Sequence, residues 1–154
     1  MPVDPSFAGR SYPPTEPYEV GREKIREFAD AINDPNPVYR SKAAAQELGH
    51  EDVIAPPTFA IVVTMRAGHQ VVMDPDLGID YSRVVHGEQR FEHTRPIRAG
   101  DLLQAVVTVD GVRAAAGRLE PLAAHPDCGG TRRPVCGGRG VHLRTELPRL
   151  ARRT

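Results

Sequence analysis

In the stretch "AINDPNPVYRSKAAA", residues 31–45, one carboxylate, Asp34, lies in a turn of Asn and Pro. One phenol, Tyr39, follows five residues later. An acid held in a turn beside a second proton-handling group is the layout of an acid–base site, where one group removes a proton and the other delivers one. A phenol with a pKa of about 10 serves that purpose poorly at neutral pH. The same residues also read as a plain helix stop with an Asx-type turn, since Asn and Asp side chains bond their own backbone two residues on.

The elements around the pair can be read from spacing. "EVGREKIREFADAIND" places Val20, Ile25, Phe28, Ala29 and Ile32 near helical periodicity, with charges elsewhere. Asn33 and Pro35 end that helix, because the residue before a proline is pushed out of the helical region. "SKAAAQELG" predicts a short helix with Ser41 as N-cap and Gly49 at its C-terminal end. "PPTFAIVVTMRAGHQVVM", residues 56–73, is the most apolar segment and reads as one buried helix over about 58–73, introduced by Pro56 and Pro57. Replacing Val62 or Val63 by Asp should then prevent folding. The preceding "FAGRSYPPTEPYEV" is Pro-rich and extended, a lead-in rather than an element.

Alternation follows the long helix. "HGEQRFEH" puts Gly87, Gln89, Phe91 and His93 on one face and His86, Glu88, Arg90 and Glu92 on the other. "RPIRAGD" is a turn, with Gly100 at a position suited to positive φ and Asp101 accepting backbone N–H groups. "LLQAVVTVDGV" forms the second strand of the pair. The order predicts an α+β domain, a sheet packed on one long helix, over residues 1–116. From Gly117 the pattern fails. Residues 117–154 carry eight Arg among scattered Gly and Pro, and only short segments near 134–136 and 141–145 could form strands. Three readings of this atypical tail stay open: a solvated poorly ordered end, a surface for RNA or an acidic carrier protein, or the product of a shifted reading frame.

Composition narrows the function. Net charge is zero, which argues against a dedicated nucleic-acid binder. That zero conceals 11 basic against 17 acidic residues before position 111, and 9 against 3 after it. No stretch has the length and apolarity of a membrane span, and the N-terminus lacks a signal-peptide pattern, so a cytoplasmic setting is expected. His50, His69, His86 and His93 are not spaced as ligands and read as surface or hydrogen-bonded histidines. His125, Cys128, Cys136 and His142 invite a zinc reading, but the spacing between the two pairs is shorter than a finger needs, so no metal is expected.

"NDPNPVYRSKAAA" resembles the G-D-x-N-P-x-H motif of MaoC-like (R)-specific enoyl hydratases and dehydratases. "VIAPPTF" resembles the start of their central helix, and "VVHGEQRFEHTRPIRAGD" their strand–turn–strand. The match spans roughly residues 7–116. It is similar above all to the branch lacking the motif His, typified by the acyl-binding subunit of actinobacterial (3R)-hydroxyacyl-ACP dehydratases. The resemblance implies a hot-dog fold, an antiparallel sheet wrapped around one long helix. Asp34 stands at the family's acid position, and Tyr39 stands where the family has His. Active members carry His-Gly at the helix start, where this chain has Pro56 and Pro57, which supply no N–H to a developing enolate. No complete catalytic set is therefore expected.

Pro57, Thr58, Phe59, Val62 and Val63 are the expected acyl-contacting residues, with no cofactor. The resemblance implies a homo- or heterodimer, with a MaoC-like subunit holding intact Asp and His as partner and acyl-ACP or acyl-CoA as substrate. Two other readings compete: a stand-alone hydratase or thioesterase using Asp34 with Tyr39, and a non-enzymatic acyl-ligand binder.

Overall fold

The computed structural model describes residues 5–77, 89, 91–93, 95–109 and 122–125. Its helices are α1 (Arg22–Ala31), α2 (Lys42–Glu47) and α3 (Ile61–Val72). Its strands are β1 (Tyr18–Glu19), β2 (Leu102–Leu103), β3 (Val106–Val109) and β4 (Leu122–His125). α1 buries Ile25 and Ala29 one turn apart, but Ile32 is 44% exposed because the helix has already ended there. The stop is a Schellman motif centred on Asn33, whose φ is +56°. The Asn33 N–H donates to the Asp30 carbonyl and the Asp34 N–H to the Ala29 carbonyl at 2.8 Å. α2 begins and ends as its sequence indicates. Ser41 Oγ accepts the Ala44 N–H, and the His50 N–H closes the far end on the Ala45 carbonyl.

α3 starts later than the expected position 58. Residues 57–60 instead form tight turns, with the Phe59 N–H on the Pro56 carbonyl and the Ile61 N–H on the Thr58 carbonyl. The core-facing stripe of α3 is Val63, Thr64, Ala67, Gly68 and Val71. These small side chains let the helix lie against β3, whose Val107 is fully buried. Val62 and Val63, alike in sequence, separate here: Val63 is 2% exposed and Val62 only half-buried.

The sheet differs from expectation. β1 pairs antiparallel with β2, Tyr18 opposite Leu103, and β3 pairs antiparallel with β4, Val107 opposite Ala124. The expected hairpin between residues 86–93 and 102–112 is not formed by the described part of the first segment, since Gln89 and residues 91–93 lie outside strands. Residues 86–88, 90 and 110–112 are outside the described residues.

The Pro-rich lead-in turns out to be a sheet edge. The Gly9, Tyr12 and Thr15 N–H groups donate to the carbonyls of Val109, Val107 and Ala105, and Ser11 bridges Thr108. Pro13, Pro14 and Pro17 interrupt this run, and an edge is where a sheet tolerates proline. β4 lies in the segment expected to be atypical, at a place where no strand was anticipated. The candidate segments at 134–136 and 141–145 lie outside the described residues, as do Cys128, Cys136 and His142 of the discounted zinc set. Among the described residues no helix is long and apolar enough to cross a membrane.

Residues 53–55 lie antiparallel to 97–99, with the Ala55 N–H on the Ile97 carbonyl at 2.7 Å and the Ala99 N–H on the Val53 carbonyl at 3.0 Å. This pins the start of α3 to the sheet. The "RPIRAGD" turn beside it has Gly100 at φ +84°, where its N–H reaches the Val20 carbonyl. Nothing lies within 4 Å of a Cβ placed on Gly100, so the cost of a side chain there is backbone strain alone. Gly100→Ala is expected to lower stability by about 1–2 kcal/mol, read as a shift in the urea midpoint at unchanged slope.

A second fastener joins α1 to the start of that pairing. Arg22 grips Asp52 through Nε at 3.0 Å and NH2 at 2.6 Å. These bonds, with the Val53 N–H, pull the Asp52 carboxyl from its ordinary 3.8 to about 2. A carboxyl whose pKa is lowered by folding stabilises the protein fully above its unfolded value, and that contribution is lost as pH falls through the folded one. Asp52→Asn is thus expected to reduce stability at pH 7 and to flatten the loss of stability between about pH 4 and pH 2, seen in melts across that range.

Candidate functional site

The α1 stop presents the two motif side chains. With Asp34 placed by its own N–H on Ala29, its Oδ1 accepts the Asn36 N–H at 3.1 Å, an Asx turn. Asn36 Oδ1 then accepts the Val38 N–H and caps a single turn of 3₁₀ helix, Pro37–Tyr39. This swings Tyr39 inward, where it is 8% exposed within the same apolar cluster as Phe59 and Val63. Asp34 stays half-buried at the edge. Burial, and next the charge of Asp34, push the Tyr39 phenol above its ordinary 10.0. The phenol thus keeps its proton at neutral pH and is a weaker acid than a free tyrosine, leaving almost no phenolate to act as a base.

Arg40 is the residue that the sequence reading passed over. Its NH1 donates to the carbonyls of Asp34 at 2.8 Å and Asn36 at 3.2 Å, and its NH2 to Asp30 Oδ1 at 2.5 Å. One guanidinium therefore clasps both carbonyls that flank Pro35. Only its place one residue after Tyr39 hinted at this, since an arginine there is long enough to fold back over the turn.

The five expected acyl-contacting residues divide. Phe59 is fully buried, edge-on to Phe28 of α1 with ring centroids 5.4 Å apart. Val63 joins it in the core, and Val62 packs against that core from a half-buried position. Pro57 and Thr58 face outward.

Pro56 and Pro57 bring no N–H, but the Thr58 and Ala60 N–H groups at the helix start find no hydrogen-bond partner among the described residues. An oxyanion could still meet donors there, where the helix dipole favours negative charge. His93, read as a surface histidine, does lie exposed, and its Nε2 is 2.7 Å from the Pro57 carbonyl. A carbonyl only accepts, so Nε2 carries the proton. Among the described residues no group of His, Cys, Asp or Glu is arranged to hold a metal ion.

An isolated acid beside a protonated phenol, set against the start of a buried helix, is the geometry to compare with known proteins. The family described as "FAS1-like, dehydratase domain region" matches residues 6–124. The chain belongs to this dehydratase family. Among curated relatives, a UPF0336 protein of Streptomyces avermitilis is 53% identical over 153 residues, covering 99% of this chain and 97% of that protein.

Solved structures share the hot-dog fold of this dehydratase-family chain. A MaoC-like dehydratase is 31% identical with a TM-score of 0.78 over 95% of this chain, which spans 43% of the other. The C-terminally truncated HadBC (3R-hydroxyacyl-ACP dehydratase) complex of Mycobacterium tuberculosis has a TM-score of 0.72 at 24% identity, over 98% of this chain and 100% of that one. The expected α+β hot-dog fold and the MaoC-like resemblance are thereby shown.

Proposed function

We propose that this chain is the acyl-binding, non-catalytic subunit of a (3R)-hydroxyacyl-thioester dehydratase. The observation that carries the reading is Tyr39, a buried phenol held above its ordinary pKa where a general base would be needed. Dehydration requires removing an α-proton and protonating the departing hydroxyl. Asp34 is the only carboxylate of the motif, and one group poised near neutrality is missing. The half-buried Val62, beside the exposed Pro57 and Thr58, would meet an acyl chain, and the Thr58 and Ala60 N–H groups, without a hydrogen-bond partner among the described residues, would face its polar end.

A partner supplying Asp and His completes the chemistry in this reading. Two facts about related structures support pairing. The HadBC structure is described as a complex. The MaoC-like dehydratase is more than twice as long as the part this chain covers, which leaves room for a second unit of the same size. ACP-bound or CoA-bound acyl groups are the proposed substrates, and the proposed setting is the cytoplasm.

The test is co-expression with a MaoC-like protein whose motif keeps both Asp and His. The reading expects a stable complex that hydrates enoyl thioesters, while this chain alone gives the uncatalysed rate. Turnover by the isolated chain that disappears in Asp34→Asn would overturn it in favour of a stand-alone hydratase.

A further inference from the structure

The Pro-rich lead-in holds the edge of β3 out of step with a normal strand. The carbonyls of Val109, Val107 and Ala105 take the N–H groups of Gly9, Tyr12 and Thr15, so the lead-in advances three residues for every two of β3. Paired strands keep equal steps. A chain that gains a residue at each step is bulged throughout and loses the alternation that a further strand would pair with.

Little else is left on the lead-in for such a strand. Pro13 and Pro14 have no N–H. The Arg10 N–H donates to the Phe7 carbonyl at 3.0 Å. Gln70 Nε2 donates to the Pro13 carbonyl at 3.3 Å, and Gln104 Nε2 to the Thr15 carbonyl at 3.1 Å. From residue 9 to residue 15, Ser11 alone keeps an N–H without a partner among the described residues. The segment is also clasped to the end of α3. The Tyr12 hydroxyl donates to Asp74 Oδ2 at 2.8 Å. Arg10 lies over the rings of Phe7 and Tyr12, with its NH2 3.4 Å from Asp74 and 3.5 Å from Asp76. A strand that took the β3 carbonyls for itself would have to break this clasp.

An edge of unpaired backbone groups is a template for another chain. Copies that join head to tail along such edges form open arrays, whereas a self-complementary contact closes. We propose that residues 9–15 are a sheet terminator: they occupy the β3 edge and offer a second copy of this chain no ladder to extend. Association is thereby confined to other surfaces of the molecule. The two prolines remove donors, and Gln70 and Gln104 cover acceptors. This device works whether or not the chain binds acyl groups.

The experiment returns the missing donors to the full chain. Pro13→Thr with Pro14→Thr restores both N–H groups on residues that favour strands. Pro13→Lys with Pro14→Lys restores the same N–H groups but sets charge on the edge, which deters strand pairing. Both prolines are exposed, so neither change removes a buried contact. Light scattering over a range of protein concentrations reads the mass of each. Wild type and the Lys pair are expected to level off at one mass. The Thr pair should keep growing, to about twofold that mass or more, as whole assemblies join through the opened edge.

A Thr pair that stays at the wild-type mass overturns the terminator. Equal growth in the Lys pair does so too, because the prolines would then be serving the fold rather than turning a strand away. A wild-type mass that never levels off would show that the edge is not closed at all.

Discussion

Val63→Asp is expected to yield no cooperative thermal transition, whereas its neighbour Val62→Asp yields a folded protein. Val63 is 2% exposed on the core stripe of α3, between Ala60 and Ala67, which are both fully buried. An ionised carboxylate there has no cation to meet, since the stripe and the buried face of the strand behind it, Val107 and Val109, are apolar apart from Thr64. The cost of such a burial is several kcal/mol, against a total stability of about 5–15 kcal/mol for a domain. Val62 points to a half-buried position from which an acid can reach water. Circular dichroism at 222 nm during heating separates the two outcomes and suits a protein without Trp. A sharp melt for Val63→Asp would remove α3 as the spine of the fold.

Arg95→Met is expected to cost about 3 kcal/mol. Asp101 is 7% exposed and holds Arg95 through two bonds, NH1 to Oδ2 at 2.7 Å and NH2 to Oδ1 at 2.9 Å. It also accepts the Arg98 N–H at 3.0 Å, which closes the turn around Gly100. Removing the arginine leaves a buried carboxylate with one backbone donor and the Arg98 Nε at 3.7 Å. The exposed Glu51–Arg98 pair offers the contrast: Glu51→Ala should change stability by no more than about 0.5 kcal/mol. Adding Asp101→Asn to Arg95→Met should recover part of the loss, because it removes the stranded charge. Urea unfolding of the three variants beside wild type checks the set.

What could be read from the sequence is what depends on a few neighbouring residues. The ends of α1 and α2 follow from Asn33, Ser41 and Gly49, and the positive φ of Gly100 from its place between two strands. The Asx turn at Asp34 is legible in the same way, because a turn motif carries its geometry with it.

The rest depends on partners far along the chain. The segment at 9–15 looks like a coil because its prolines break any periodic pattern, yet β3 offers it carbonyls to bond. "LAAH" at 122–125 has little strand character of its own and is a strand because β3 has an open side. The contact of Phe59 with Phe28 of α1 joins residues far apart in the chain and has no local signal. Arg40 offered only its place one residue after Tyr39, since any arginine on a surface looks alike until its reach is known.

The α1 stop divides one residue between two duties. Asp34 completes the Schellman motif with its peptide N–H, an atom that every residue except proline possesses. Its carboxylate adds only an Asx turn, which an asparagine would make equally well. Chemistry can therefore be erased at this position at almost no penalty in folding. At Tyr39, likewise, the core needs a large apolar body and is indifferent to what sits at its tip. Asn33 has no such freedom, because its left-handed backbone is the bend itself. A lineage released from catalysis would drift first at residues 34 and 39 and last at 33, and the surviving turn would go on looking like an active site.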